Sequence, residues 1–191
     1  VGSKYDFARG EIPSGTPLLK PLTYMNLSGQ AVAAWSLDAG IAVTGEAPET
    51  AAAAEPGAEP GSEPAVPTPA APDTRVRPLV VCDDLNLPLG SVRLRPRGSS
   101  GGQNGLASVI EYLGGEDFPR LRLGVAPRDR DIDPADWPDH VLSDFAPSED
   151  GIAAEMISHA AAALEFWLEN GLDPAISRFN RRIRPPQEPC E

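Results

Sequence analysis

Asn26, Asp83 and Asn104 each stand where an extended segment hands over to a helix or a turn. In α/β proteins such junctions hold ligands. Asn26 lies within Lys20-Pro-Leu-Thr-Tyr-Met-Asn-Leu-Ser-Gly-Gln-Ala-Val32. Asp83 follows the apolar run Leu79-Val-Val-Cys82. A carboxylate at that edge can orient a histidine or bind a polar ligand. The same residue also fits plain turn chemistry, because Asp84, Asn86 and Pro88-Leu-Gly90 follow it. Asn104 ends the Gly-rich segment Gly98-Ser-Ser-Gly-Gly-Gln-Asn-Gly105. Backbone amides of such a loop can cradle an anion at a helix start. The Lys-Ser/Thr ending of a nucleotide-binding P-loop is not there. Asn104 either caps the helix or donates its amide to a carbonyl oxygen.

Basic residues form the other pattern. Arg93 and Arg95 alternate along one predicted strand, with Arg97 beyond, and Arg120 and Arg122 repeat the spacing on the next. Alternating side chains share a face. The pairs make either a basic stripe suited to phosphates or a solvated face neutralised by the many acids. The chain has two histidines, His140 and His159. Neither sits in a motif, and both are expected at the surface.

The elements that must position these residues read as follows. Residues 4–9 and 17–20 predict a hairpin around Pro13-Ser-Gly15. Asn26 is the expected N-cap of a helix with Leu27, Ala31, Ala34 and Trp35 on one face, ending near Gly40. Leu79–Cys82, Ser91–Arg95 and Leu121–Val125 predict strands, the first of them buried. Asn104–Leu113 predicts a helix closed by Gly114-Gly115. Residues 126–146 predict a polar loop. Pro147 suits the first position of a long helix burying Ala153, Met156, Ile157, Ala160, Leu164 and Trp167 and ending at Gly171. A last helix runs from Asp173 or Pro174 to about Arg182. Strands alternating with helices imply an α/β layered domain.

At 191 residues the chain suits one domain with a sizeable core. The domain is expected over residues 1–42 and 78–191. Residues 43–77 are rich in Ala, Pro, Glu and Gly, without apolar periodicity, and predict a disordered insertion. Six acids between Glu46 and Thr74 supply half of the net charge of −12, so acidity says little against an RNA partner. The two cysteines, Cys82 and Cys190, make no disulfide framework and no metal-ligand spacing, which points to a reducing cytoplasm and no metal. No apolar run is long enough for a membrane span. The chain opens on Val1 rather than Met, which fits a fragment, a processed product or a start read from an alternative codon.

Tyr24-Met-Asn-Leu-Ser-Gly29, Cys82-Asp-Asp-Leu-Asn-Leu-Pro88, Gly101-Gly-Gln-Asn-Gly-Leu106, Arg120-Leu-Arg-Leu-Gly-Val125 and Val141-Leu-Ser-Asp-Phe145 resemble, in order, motifs of the bacterial peptidyl-tRNA hydrolase family. The resemblance runs from about Tyr5 to Arg182. It implies a single α/β domain with a central mixed β-sheet flanked by helices. It implies a carboxylic-ester hydrolase that cuts peptide from tRNA and so recycles tRNA from stalled or aborted translation. It further implies a cytoplasmic monomer without cofactor, with peptidyl-tRNA as partner and no membrane. Asp83 matches the carboxylate that orients the family's histidine base. Asn26 and Asn104 match amides that position substrate, and Asn104 is also a candidate for steadying the oxyanion. Tyr24 matches an aromatic at the tRNA 3′ end, with Met25 beside it. Arg95 and Arg122 match a phosphate clamp, and Arg93 joins them on the stripe.

Two departures stand out. Gln103 replaces a histidine of the family's Gly-Gly-His. The family's first strand, its Gly-Asn-Pro-Gly turn and its Thr-Arg-His-Asn element, which holds the base, have no counterpart here. The chain therefore reads as N-terminally truncated, with weak or no hydrolysis on its own. The alternative is a non-catalytic RNA-binding relative of the same fold.

Overall fold

The computed structural model describes residues 7–12, 15–40, 78–128 and 131–183. The expected insertion, 43–77, lies outside the described residues. The chain divides into two compact units, Val1–Val76 with Ser108–Gly115, and Arg77–Ala107 with Glu116–Glu191.

In the first unit, strand β1 (Phe7–Glu11) pairs antiparallel with β2 (Pro17–Pro21), Phe7 facing Pro21 and Glu11 facing Pro17. The turn between them closes through the Gly15 amide, which donates to the Ile12 carbonyl at 2.9 Å. A 3-10 turn, Met25–Leu27, leads into helix α1 (Ser28–Ala39). Ala31, Val32 and Trp35 form its buried face. Gly40 ends it in the left-handed conformation that glycine adopts without strain, as expected. Asn26 is not the N-cap. It sits inside the 3-10 turn, and Leu27 precedes α1 without a side-chain cap. Ser28 takes over locally, its Oγ donating to the Met25 carbonyl at 2.8 Å. Gly29 is required by close approach. Its amide donates to Ser108 Oγ at 3.1 Å, and a Cβ there would lie 2.1 Å from the Ser108 carbonyl.

The second unit is built on a mixed sheet in the order β3–β5–β4–β6. Strand β3 is Val80–Pro88, β4 Ser91–Arg95, β5 Arg120–Ala126 and β6 Arg181–Arg182. β3 and β5 are parallel, whereas β4 is antiparallel to β5 and to β6. Helix α2 is Asn104–Leu113, α3 Trp137–Val141, α4 Asp150–Asn170 and α5 Leu172–Phe179. The α/β class with a mixed sheet and flanking helices is as expected. Leu89, Val92, Leu94 and Leu121 pack against Ala153, Met156, Ala160, Ala163, Ala175 and Phe179.

Several boundaries differ from expectation for local reasons. β3 does not stop at Cys82. It stays beside β5 through Asp83 opposite Leu123 and Asp84 opposite Gly124, then shifts register before Pro88 meets Ala126. Gly124 permits this, since a Cβ there would lie 2.3 Å from the Pro88 carbonyl. Nor is β3 buried: it is an edge strand of this sheet among the described residues, and Val81 is 48% exposed. α4 starts at Asp150 rather than Pro147, and the turn before it is closed by the Glu149 carboxylate, which accepts the Ala146 amide at 3.0 Å. Ile157 is exposed, and His159 takes its place in the packing against Phe179. α5 ends at Phe179, short of Arg182. The Asn180 side chain there substitutes for a strand partner, accepting the Leu94 amide at 2.6 Å and donating to the Leu94 carbonyl at 3.2 Å. The 126–146 loop contains α3.

Candidate functional site

Where the regular pairing of β3 with β5 ends, two neighbouring carboxylates have opposite environments, because successive strand residues face opposite ways. Asp84 is 1% exposed. Its Oδ1 accepts the Asn86 amide at 2.9 Å and the Asn86 Nδ2 at 3.2 Å, and its Oδ2 is ion-paired with Arg122 Nη2. Asp83 is exposed, and its carboxylate has no partner among the described residues. Its backbone carbonyl accepts a hydrogen bond from Gln103 Nε2. The Gly-rich loop before α2 is thereby pinned to the strand end. Gly101 and Gly102 carry the loop through φ of 61° and 88°, where a side chain would be strained. Asn104 is the first residue of α2, exposed and with its amide unpaired among the described residues. Among the described residues the second unit thus offers an unpaired carboxylate and an unpaired carboxamide, linked by the Gln103–Asp83 contact.

In the first unit, Tyr24 and Met25 are 84% and 65% exposed, and Asn26 beside them is exposed with no side-chain hydrogen bond among the described residues. Large apolar side chains left open around a free amide suit a ligand face better than a core.

The arginines do not form one uniform stripe. Arg93 faces Arg122 and Arg95 faces Arg120 across β4 and β5. Arg93, Arg95 and Arg97 are exposed and make no ion pair among the described residues. Arg120 is 2% exposed and lies under the Gly-rich loop, bonded to the carbonyls of Gly98, Ser99 and Glu116. Burial lowers its proton affinity from the ordinary guanidinium value. Arg122 neutralises Asp84. The residues free to meet a phosphate on this face are therefore Arg93, Arg95 and Arg97.

This ordering of motifs and sheet has close parallels. A family model described as peptidyl-tRNA hydrolase matches residues 72–187. The peptidyl-tRNA hydrolase of Chlorobium phaeobacteroides strain BS1 is 38% identical over 168 residues, covering 88% of this chain and 70% of that protein. That of Fervidobacterium nodosum is 45% identical over 102 residues, 53% of this chain and 54% of the relative. A crystal structure of the Acinetobacter baumannii peptidyl-tRNA hydrolase superposes with a TM-score of 0.63 at 25% identity, covering 93% of this chain and 73% of that one.

The chain belongs to the peptidyl-tRNA hydrolase family. It spans about half the length of the Fervidobacterium relative it matches. Two features of the site escape the peptidyl-tRNA hydrolase motifs read as sequence alone. The Asp84–Arg122 pair and the burial of Arg120 depend on which neighbours fold over each strand face. Alternation shows that two arginines share a face, but not that a loop will cover one of them.

The remaining titratable groups sort clearly. His140, half-buried, shares a hydrogen bond of 2.9 Å with the Val125 carbonyl. His159 is buried, its Nε2 3.0 Å from the Phe179 carbonyl. His159 is thus not at the surface as the sequence suggested, since a backbone carbonyl satisfies its ring, whereas His140 stays partly exposed. Burial, and then the charges of Asp83 and Asp84, push the Cys82 thiol up to about 11. No helix among the described residues is long and apolar enough to cross a membrane. No cluster of metal-binding side chains occurs among them.

Proposed function

We propose that this chain carries the substrate-binding and charge-orienting part of a peptidyl-tRNA hydrolase, acting on the ester between peptide and tRNA in the cytoplasm as a monomer. The carrying observation is the exposed Asp83 carboxylate, unpaired among the described residues, with the loop that delivers Asn104 fastened to its own carbonyl through Gln103. A carboxylate so placed orients an imidazole, and an amide at a helix start donates to a substrate carbonyl or to the oxyanion that forms from it. Tyr24, Met25 and Asn26 would contact the 3′ end of the tRNA, and Arg93 and Arg95 its phosphates. Gln103, with its Nε2 spent on Asp83, acts on substrate through the loop it holds.

Ester hydrolysis at neutral pH needs a base with a pKa near that pH, which histidine supplies best. Both histidines of the sequence are engaged elsewhere, His140 at Val125 and His159 at Phe179. Asp83 therefore needs an imidazole brought to it from outside residues 1–191. The test is hydrolysis of peptidyl-tRNA by residues 1–191 alone and fused behind an N-terminal element bearing Thr-Arg-His-Asn. The fusion should turn over at least a hundredfold faster, the usual order for a positioned general base, and Asp83→Asn should remove most of that gain. Robust Asp83-dependent hydrolysis by residues 1–191 alone would overturn the assignment of the base. Binding of tRNA without turnover by the fusion supports the second reading, an RNA-binding protein without catalysis, which Arg93, Arg95 and Arg97, unpaired among the described residues, favour.

A further inference from the structure

Arg120 is the largest fully buried side chain among the described residues. Every hydrogen bond given by its guanidinium goes to a backbone carbonyl. Nη1 donates to Gly98 and, at 3.0 Å, to Ser99. Nη2 donates to Glu116 at 2.9 Å and to Phe118 at 3.5 Å. The guanidinium also lies 4.3 Å from the centre of the Phe118 ring. These acceptors belong to two segments. Gly98 and Ser99 open the loop before α2, while Glu116 and Phe118 form the turn after it. The Gly98 amide crosses between them as well, donating to the Glu116 carbonyl at 3.4 Å. One side chain thus clasps the entry and the exit of α2.

Burying a guanidinium is a costly way to add stability. What it adds over an apolar side chain is direction, because its donors sit in a rigid planar fork. The loop it holds has little else to fix it. Its middle is glycine at positive φ, and its far end hangs on the Gln103–Asp83 contact. Asn104 follows at once as the first residue of α2.

We infer that Arg120 is a positioning residue that fixes the start of α2, and through it the place where the Asn104 amide is presented. The functional half of this rests on the hydrolase reading above, and the clasp itself does not. The experiment compares wild type, Arg120→Met and Arg120→Lys. Amide hydrogen exchange on residues 1–191 reads segment 98–105, with α4 as internal reference. Arg120→Met keeps the length and apolar contact but removes the fork, so loop exchange should rise at least tenfold while α4 stays protected. Lysine reaches one segment but not both and should fall between. On the histidine-bearing fusion, kcat should drop with KM unchanged. Wild-type loop exchange in folded Arg120→Met overturns the clasp, and a loosened loop with unchanged kcat overturns the positioning role. If Arg120→Met does not fold, Arg120→Lys decides by the same two readouts. Global unfolding of both variants also overturns the inference, because Arg120 would then serve the whole unit. If the wild-type fusion is inactive the hydrolase reading fails, and exchange still decides the clasp.

Discussion

The end of β3 with its glycine-rich loop, and the packing of α4 and α5 on β4 and β5, are two parts of one compact unit held by different physics. In the second, Val92, Leu94, Leu121, Met156, Ala163 and Phe179 touch one another and exclude water. An apolar side chain of similar volume does that job at modest cost. In the first, Asp84, Arg122, Arg120 and Gln103 are linked by directional bonds to named atoms. Such a region tolerates little exchange of residue type, because removing one partner strands the other. Stability belongs to the apolar side, and geometry to the polar side.

Mutations should separate the two. The largest effect is expected at the apolar side. Met156 is buried against the sheet, so Met156→Ala should cost about 3 kcal/mol of unfolding free energy. Urea unfolding should show a lower midpoint with an unchanged slope, and tRNA affinity of the folded protein should stay at the wild-type level. A loss below ~1 kcal/mol, or weakened tRNA binding, would blur the distinction. On the polar side Arg122→Ala leaves the buried Asp84 carboxylate uncompensated. Arg122 is itself partly exposed, so the cost should be nearer 2 kcal/mol than the range for fully buried pairs. Adding Asp84→Asn to that variant should recover part of the loss. If the double variant is no more stable than Arg122→Ala, the pair is not what holds the strand end.

How much of this was readable in advance follows the same divide. The hairpin, β4, α2, the end of α1 at Gly40 and the end of α4 at Gly171 were legible because glycine, alternation and apolar spacing are local signals. β3 was misjudged because its continuation past Cys82 depends on β5 and on Gly124 lying beside it, contacts made some forty residues away in sequence. Asn26 has the residue type of a helix cap, but a 3-10 turn precedes the helix and leaves its amide unpaired among the described residues. His159 was assigned to the surface because its helix face was phased on Ile157. Phe179 packs one step round the helix and buries the imidazole instead. The motif residues of the site were legible as a resemblance, whereas the partners that hold them, Arg120 above all, were not.

A smaller effect should distinguish the arginines. Arg95 is exposed and unpaired among the described residues, whereas Arg122 is tied to Asp84. Arg95→Ala should weaken tRNA binding and reduce the slope of log affinity against log salt by about one unit, at little cost in stability. Arg122→Ala should change stability far more than the slope. Titration of tRNA at several salt concentrations decides the matter. Equal slope changes in both variants would return Arg122 to the phosphate face.

The smallest effect, and none at neutral pH, is expected at Cys82, which belongs to both regions. Its strand feeds the polar site, yet its thiol is set by burial. That burial, with the charges of Asp83 and Asp84 adding to it, moves the thiol from 9.0 to about 11. The folded state therefore holds its proton more tightly than the unfolded chain. Stability is unaffected below about pH 9 and declines as pH rises from there through 11, where only the unfolded chain gains by ionising. The thiolate is the nucleophile, so alkylation follows the ionised fraction. In a Cys190→Ser background, iodoacetamide at pH 8 should label Cys82 roughly a hundredfold more slowly in the native chain than in urea, the factor that two pKa units carry. The native rate should then rise about tenfold per pH unit and level off only near pH 11. A native rate close to the unfolded one at pH 8 would mean that the thiol is ionised and open. The burial that holds the thiol protonated would then be absent.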